Sequence, residues 1–220
     1  MKNVLLSWSS GKDSAWALHL LRQRPDVDVV ALVTTFNSTA GRVAMHAVRR
    51  TLVEAQAERA DIPLWQVELP SPCSNAEYEE RMRGVHQRAL TEGITGVAFG
   101  DLFLEDIRAY RERQLQGTGL DPLFPVWGIP TRALAREMLA AGVKAKITCV
   151  DPKQIPASFA GRDFDQALLD NLPPGADPCG ENGEFHSFVH ASPVFSRPIA
   201  VCAGEVLERD GFVFADVLPG

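Results

Sequence analysis

Apolar positions along the chain fall into short blocks that switch between two periods. Val4-Leu5-Leu6 is a compact run, and Ala15 to Leu21 continues at helical spacing, which predicts a buried strand over 2–8 and a helix over 13–23. Residues 27–36 form a continuous, β-branched run that suits a strand covered on both faces. Over 42–59 an apolar stripe of Val43, Ala47, Val48, Leu52 and Ala55 predicts a second helix. Residues 62–69 read as a third strand, ended by Pro70-Ser71-Pro72. A charged amphipathic helix follows over 75–92, with Tyr78, Met82, Val85 and Leu90 on its buried side, and 94–99 is a fourth strand. Strands alternating with helices at this spacing predict an α/β fold with a parallel sheet and helices on both faces.

After Asp101 the alternation loosens. Residues 105–116 form a polar, Arg-rich helix, 123–128 a stiff aromatic loop, and 131–141 a helix ended by Gly142. Residues 143–150 read as a fifth strand, which can return to the first sheet and make it five-stranded. A helix over 163–172 and strands from Val194 onward, with a turn at Asp210-Gly211, complete the pattern. The expected organisation is a nucleotide-binding domain over 1–101 and a smaller α+β, substrate-binding part over 102–220.

In parallel sheets ligands bind beyond the carboxyl ends of the strands. Ser7-Trp8-Ser9-Ser10-Gly11-Lys12-Asp13-Ser14, residues 34–38 and Gly100-Asp101 all fall there. The first of these joins a strand to a helix through small side chains, and a helix start offers unpaired N–H groups and a dipole that favours an anion. The loop is not a Walker A sequence, because Asp13 follows Lys12 and position 6 is Leu; its single glycine also excludes the dinucleotide fingerprint. Downstream, Cys179 to Val189 crowds Glu181, Glu184 and His186 between two glycines, Gly180 and Gly183.

Composition narrows the class. With 220 residues, 45 % apolar and 23 % charged, the chain is an ordinary globular protein. A net charge of −6 argues against nucleic acid as the main partner. No C-x-x-C pair occurs among Cys73, Cys149, Cys179 and Cys202, so free thiols are expected. No apolar run is long enough to cross a bilayer and no leader precedes the first strand, which points to the cytoplasm. A homodimer stays open.

Ser9 to Ser14 resembles the PP-loop S-G-G-K-D-S of the ATP pyrophosphatases at five of six positions, with Ser10 in place of a glycine. Gly180 to Ser187 is similar to the G-E-[GN]-G-E-F-H-[ST] segment of the diphthine–ammonia ligase family. Gly100-Asp101 with Glu105 and Arg108, and Pro122 to Gly128, match that family more loosely. The resemblance covers nearly the whole chain. It implies an adenine nucleotide alpha hydrolase-like fold, with ATP and Mg²⁺ as cofactors. The implied reaction adenylates a carboxylate, on a small molecule or a modified protein residue such as diphthine, and then lets ammonia displace AMP.

On this reading Ser7, Ser9, Ser10, Gly11, Lys12, Asp13 and Ser14 bind ATP, and Lys12 and the helix start stabilise departing pyrophosphate. Asp13 is the metal-side carboxylate or a first-turn dipole partner. Thr35 and Phe36 meet adenine, with Phe36 as plain core the equal alternative; Gly100 and Asp101 are ATP-side residues, Asp101 holding ribose or metal or else capping the following helix. Glu105, Arg108, Gly180, Glu181, Asn182, Gly183, Glu184 and His186 form the substrate side, with Glu184 the base that deprotonates ammonium. Arg111 joins Arg108 as a clamp or sits on a solvated face, and His46 is more simply a surface residue. Two other functions compete: a PP-loop enzyme that modifies tRNA, and a nucleotide-binding sensor without turnover.

Overall fold

The computed structural model describes residues 1–43 and 46–220. Its first sheet is built from β1 (Lys2–Ser7), β2 (Val27–Asn37), β3 (Arg42–Val43), β4 (Leu64–Leu69), β5 (Gly96–Ala98) and β6 (Asp121–Leu123). Helices α1 (Lys12–Arg22), α2 (Arg50–Ala60), α3 (Asn75–Thr91) and α4 (Glu105–Leu115) connect these strands. Leu32 and Val33 pair with Leu6 and Ser7 on one edge of β2 and with Leu64 and Trp65 on the other, so β1 and β4 flank β2. The five parallel strands therefore run in the order β4-β2-β1-β5-β6, and the two-residue β3 lies antiparallel beside the end of β2.

Both faces of this sheet are covered, as its unbroken apolar strands require. Val4 and Leu6 pack into one core cluster with α1, α2 and the second sheet. Leu5, Ala31, Val33 and Val97 pack into another with Val85 and Ala89 of α3 and Leu115 of α4. Among the described residues no helix is long and apolar enough to cross a membrane.

The rest of the chain comprises α5 (Thr131–Ala140), β7 (Lys144–Val150), a 3-10 turn (Ala157–Phe159), α6 (Gln166–Asn171), β8 (Phe185–Ala191), β9 (Val201–Arg209) and β10 (Phe212–Pro219). Its four strands form a second, antiparallel sheet in the order β8-β7-β10-β9. Residues 143–150 thus do not rejoin the first sheet: β7 sits between β8 and β10. The fifth parallel strand is β6 instead, which carries the first sheet past Asp101 to Leu123. Its Asp121-Pro122-Leu123 sequence carries no strand pattern, and Pro122 is tolerated because β6 is an edge strand. The helix expected over 42–59 begins only at Arg50, since Arg42 and Val43 turn back along β2. The expected helix over 163–172 shortens to α6, capped by the Asp165 side chain on the Leu168 N–H.

Candidate active site

The loop from Trp8 to Gly11 leaves the carboxyl end of β1 and is held from three sides. Trp8 Nε1 donates to Gln56 Oε1 at 2.8 Å, and Gln56 Nε2 donates to the carbonyls of Ser10, at 3.0 Å, and Val189, at 2.6 Å. The Val189 N–H also donates to the Ser10 carbonyl at 3.0 Å. Gln56 is fully buried and makes α2, the loop and β8 one unit. A single amide within the apolar stripe of α2 was the sequence signal for it.

Ser10 adopts φ 71°, the left-handed region, and its Oγ is buried without a hydrogen-bond partner among the described residues. This is the position where the PP-loop pattern has glycine, and the backbone gives the reason. Gly11 ends the loop in close contact: a Cβ there would lie 3.3 Å from both the His46 ring and the Ser187 carbonyl. α1 then starts with no side-chain cap of its own. Its Lys12 N–H donates instead to Ser187 Oγ of β8 at 3.2 Å.

Lys12 is the most constrained residue of the loop. Its side chain is 2 % exposed, its ammonium lies 2.9 Å from Asp13 Oδ2, and it donates to the Cys179 carbonyl. The rings of Phe164 and Phe185 stand 5.6 and 5.3 Å from it. Burial pushes the Lys12 ammonium down, but Asp13, Cys179 and Asp177 more than reverse this and hold it above its ordinary value. Burial raises the Asp13 carboxyl against the opposing pull of Lys12. Asp13 nevertheless keeps 26 % of its side-chain surface open, which faces a cavity.

That cavity, of about 220 Å³, is walled by both halves of the chain. The first half contributes Ser7, Ser9, Lys12, Asp13, Ser14, His46, Phe99, Gly100, Asp101 and Arg111. The second contributes Cys179, Gly180, Glu181, Phe185, His186 and Ser187. Gly100 must be glycine here, because a Cβ would come within 3.0 Å of the Asp13 and Ser14 backbone.

Between Asp177 and Glu184 the chain folds into a closed turn. Asp177 Oδ2 accepts the Cys179 and Glu181 N–H groups at 3.1 and 2.9 Å, and Gly180 and Gly183 take φ values of 73° and 86°. Glu184 is the turn's buried anchor. It is 2 % exposed, and its Oε1 accepts the Asp177 N–H at 2.7 Å and the Asn182 side chain at 3.1 Å. It is not a wall of the cavity, whereas Glu181 is. Glu181 Oε1 accepts the Leu102 N–H at 2.6 Å, and burial, reinforced by Asp13 and Asp101, raises its carboxyl to about 7.

The remaining expected residues divide. Arg111 rather than Arg108 lines the cavity, with Nε 3.5 Å from Asp101 Oδ2 and its guanidinium 4.9 Å from the Phe99 ring. Arg108 pairs with Glu112 and lies over Phe124 and Trp127, and Glu105 is exposed in the first turn of α4. Phe36 is fully buried core beneath Arg50, and neither it nor Thr35 reaches the cavity; Asn182 and Gly183 also lie outside it. His46 does enter, its ring 4.5 Å from that of His186. Burial lowers His46 to about 3 and His186 to about 4, so both are neutral at pH 7.

Comparison with known proteins follows the same division. The family model described as diphthamide synthase N-terminal domain matches residues 1–122, and the one described as diphthamide synthase C-terminal domain matches residues 130–214. The chain belongs to the diphthamide synthase family. Among curated relatives, a human protein named diphthine–ammonia ligase is 27 % identical over 157 residues, covering 66 % of this chain and 56 % of its own length. A mouse protein of the same name is 25 % identical over an alignment of 235 positions, covering 95 % of this chain and 86 % of its own length. The chain thus spans little more than half of the human relative. The first model ends one residue short of Leu123, the end of β6, so the family's own division follows the two sheets.

No group of three or more His, Cys, Asp or Glu among the described residues is arranged to hold a metal ion unaided. Asp13, Asp101 and Glu181 do line one space, and the first two charges add to the upward shift of the third. A set of hard oxygen donors whose charges repel suits a cation that arrives with phosphates and keeps much of its own coordination shell.

Proposed function

We propose that this chain is an ATP-dependent, amide-forming ligase. In the first step an acceptor carboxylate attacks the α-phosphate of ATP, giving an acyl-adenylate and pyrophosphate. In the second, ammonia attacks the acyl carbon, giving the amide, AMP and one proton. The carrying observation is that the loop from Ser9 to Ser14 and the turn from Cys179 to Ser187 wall one cavity. A phosphate-binding helix start and a group able to take a proton near neutrality therefore face the same space. The family and the names of the relatives support diphthine, a carboxylate on a modified protein side chain, as the starting acceptor class.

The cavity is smaller than the roughly 300–1,000 Å³ of pockets that enclose a drug-sized ligand. It suits the reacting phosphates, with the adenosine directed outward. The start of α1 would receive the phosphate chain through its N–H groups and dipole. Lys12 walls the same space, where it fixes Asp13 and ties the Cys179 turn to the helix start. Mg²⁺, held by Asp13 with Asp101 beside it, would supply charge neutralisation on the phosphate oxygens. Arg111 faces the same space and offers a cation for the acceptor carboxylate. Glu181, at about 7, would take the proton of ammonium and deliver ammonia to the acyl carbon.

The test is product analysis. The protein is incubated with ATP, Mg²⁺, ammonium and diphthine-bearing elongation factor, and nucleotide and acceptor are both measured. AMP and pyrophosphate formed in step with acceptor amide are expected. Release of ADP, or AMP formation indifferent to both acceptor and ammonium, would overturn the reading.

A further inference from the structure

The two edges of the second sheet are treated differently. β8 is covered by the loop before α1, while β9 stands free. Among the described residues β9 pairs only with β10, and residues 205–209 are exposed on both faces, with Val206 at 59 % and Leu207 at 44 %. Edges of this kind are blunted by charged side chains, Lys above all, by Pro or by bulges. Val201 to Arg209 contains no Lys or Pro; its charges, Glu205, Glu208 and Arg209, are of both signs, and the irregular pairing of the ladder, at Gly204-Glu205 against Asp216, leaves 206–209 regular.

We propose that β9 is a homodimer interface, in which two copies pair their β9 strands antiparallel about a two-fold axis through Leu207. Backbone parity comes first. Asp210 and Gly211 have φ of 54° and 80°, the two-residue turn closed by the Arg209–Phe212 pair. From that closing pair, Arg209 and Leu207 direct their N–H and C=O groups at β10, so Val206 and Glu208 direct theirs to the free edge. An axis through Leu207 places Val206 opposite the partner's Glu208, both with outward backbone groups. The Leu207 pair itself then falls at a narrow, non-hydrogen-bonded position.

Charge then selects among the axes. An axis through Glu205 or Glu208 would set two glutamates directly opposite. One through Val206 would leave Glu205 facing an apolar side chain. Only the axis through Leu207 sets Glu205 opposite the partner's Arg209, twice by symmetry, with two exposed leucines between the pairs. Opposite charges across a strand pair stabilise it and like charges destabilise it. The strand is self-complementary, as a two-fold interface requires. This surface is independent of the nucleotide site and of the reaction assigned to it.

Light scattering after gel filtration, over a concentration series, is expected to give a mass twice the 24.0 kDa of one chain. L207C, made with C73S and C202S to remove the exposed native thiols, is expected to cross-link on mild oxidation. Directly opposed residues of a narrow pair lie about 4.5 Å apart at Cα, within disulfide range. R209E sets two glutamate pairs face to face and is expected to raise the dimer dissociation constant by about tenfold, and adding E205R restores it to within about threefold. A monomer throughout the series overturns the proposal, as does a dimer that neither cross-links through L207C nor responds to R209E. The L207C readout remains decisive should R209E disturb the hairpin.

Discussion

The two segments that meet at the cavity build their share of it differently. The loop from Ser9 to Ser14 works mainly through its backbone: one left-handed residue, one glycine against Ser187 and His46, and a helix start with no cap of its own. The turn from Asp177 to Glu184 works through side chains. Asp177 Oδ2 and Glu184 Oε1 hold the turn's own N–H groups, Glu184 Oε2 is buried with no hydrogen-bond partner among the described residues, and a third carboxylate, Glu181, is left at the cavity wall. Backbone sites follow from local sequence, because strand, small residues and helix dictate where the amides sit. A side-chain site depends on which carboxylate the turn consumes, and two residues of positive φ decide that.

The largest expected effect lies on the loop. Asp13→Asn keeps the shape and removes the charge that faces the cavity and balances Lys12. AMP formation is expected to fall by about 10²-fold or more. The buried Lys12 ammonium loses its charged neighbour, so the melting temperature falls too, while far-UV circular dichroism stays that of the folded chain. Unchanged AMP formation would show that the loop's contribution is backbone alone, which would sharpen the contrast between the two segments further.

The next effect splits the two glutamates of the turn. Glu181→Gln is expected to lower amide formation by about 10²-fold and, because it removes a buried charge, to make the fold more stable near neutral pH. In the unaltered protein amide formation should rise as pH climbs through about 7, where Glu181 loses its proton, and the rise should vanish in the variant. Stability runs the other way: the folded chain keeps this proton where the unfolded chain releases it, so stability falls as pH rises from the ordinary carboxyl range to about 7. Glu184→Ala leaves the Asp177 N–H without its acceptor and should cost about 1–3 kcal/mol in stability. The comparison breaks if Glu184→Ala abolishes turnover at unchanged stability while Glu181→Gln remains active.

This split also explains what was legible in the sequence. Lys12, Asp13, Gly100, Asp101 and Glu181 could be placed beside one another because each lies where a parallel strand ends or where glycines cluster. β6 could not, since an edge strand needs only three residues and tolerates Pro122. Residues 144–150 look like another strand–helix repeat, and only their partners at 185–191 and 212–219 assign them to the second sheet. Arg111 outreaches Arg108 because the Asp101 carboxylate and the Phe99 ring lie on its side of α4, and both are set by the end of β5. His46 looked like a surface residue because nothing in the sequence brings it to His186; that contact exists only once β8 lies against the loop.

The smallest expected effect tests the loop's backbone without touching its chemistry. Ser10 holds φ 71° where a side chain is disfavoured, and its buried Oγ gains no hydrogen bond in exchange. Ser10→Gly removes both penalties, but it also gives the unfolded chain more freedom to lose. The left-handed penalty for a residue with a Cβ is about 1–2 kcal/mol, and the glycine entropy cost about 0.5–1 kcal/mol. The balance favours the variant by about 0.5–1 kcal/mol, a rise of a few degrees in melting temperature, with AMP formation unchanged. The carbonyl that accepts from Gln56 and Val189 is retained, so the loop keeps its anchors. A loss of stability in this variant would mean that the serine side chain, and not only the backbone it sits on, shapes the loop.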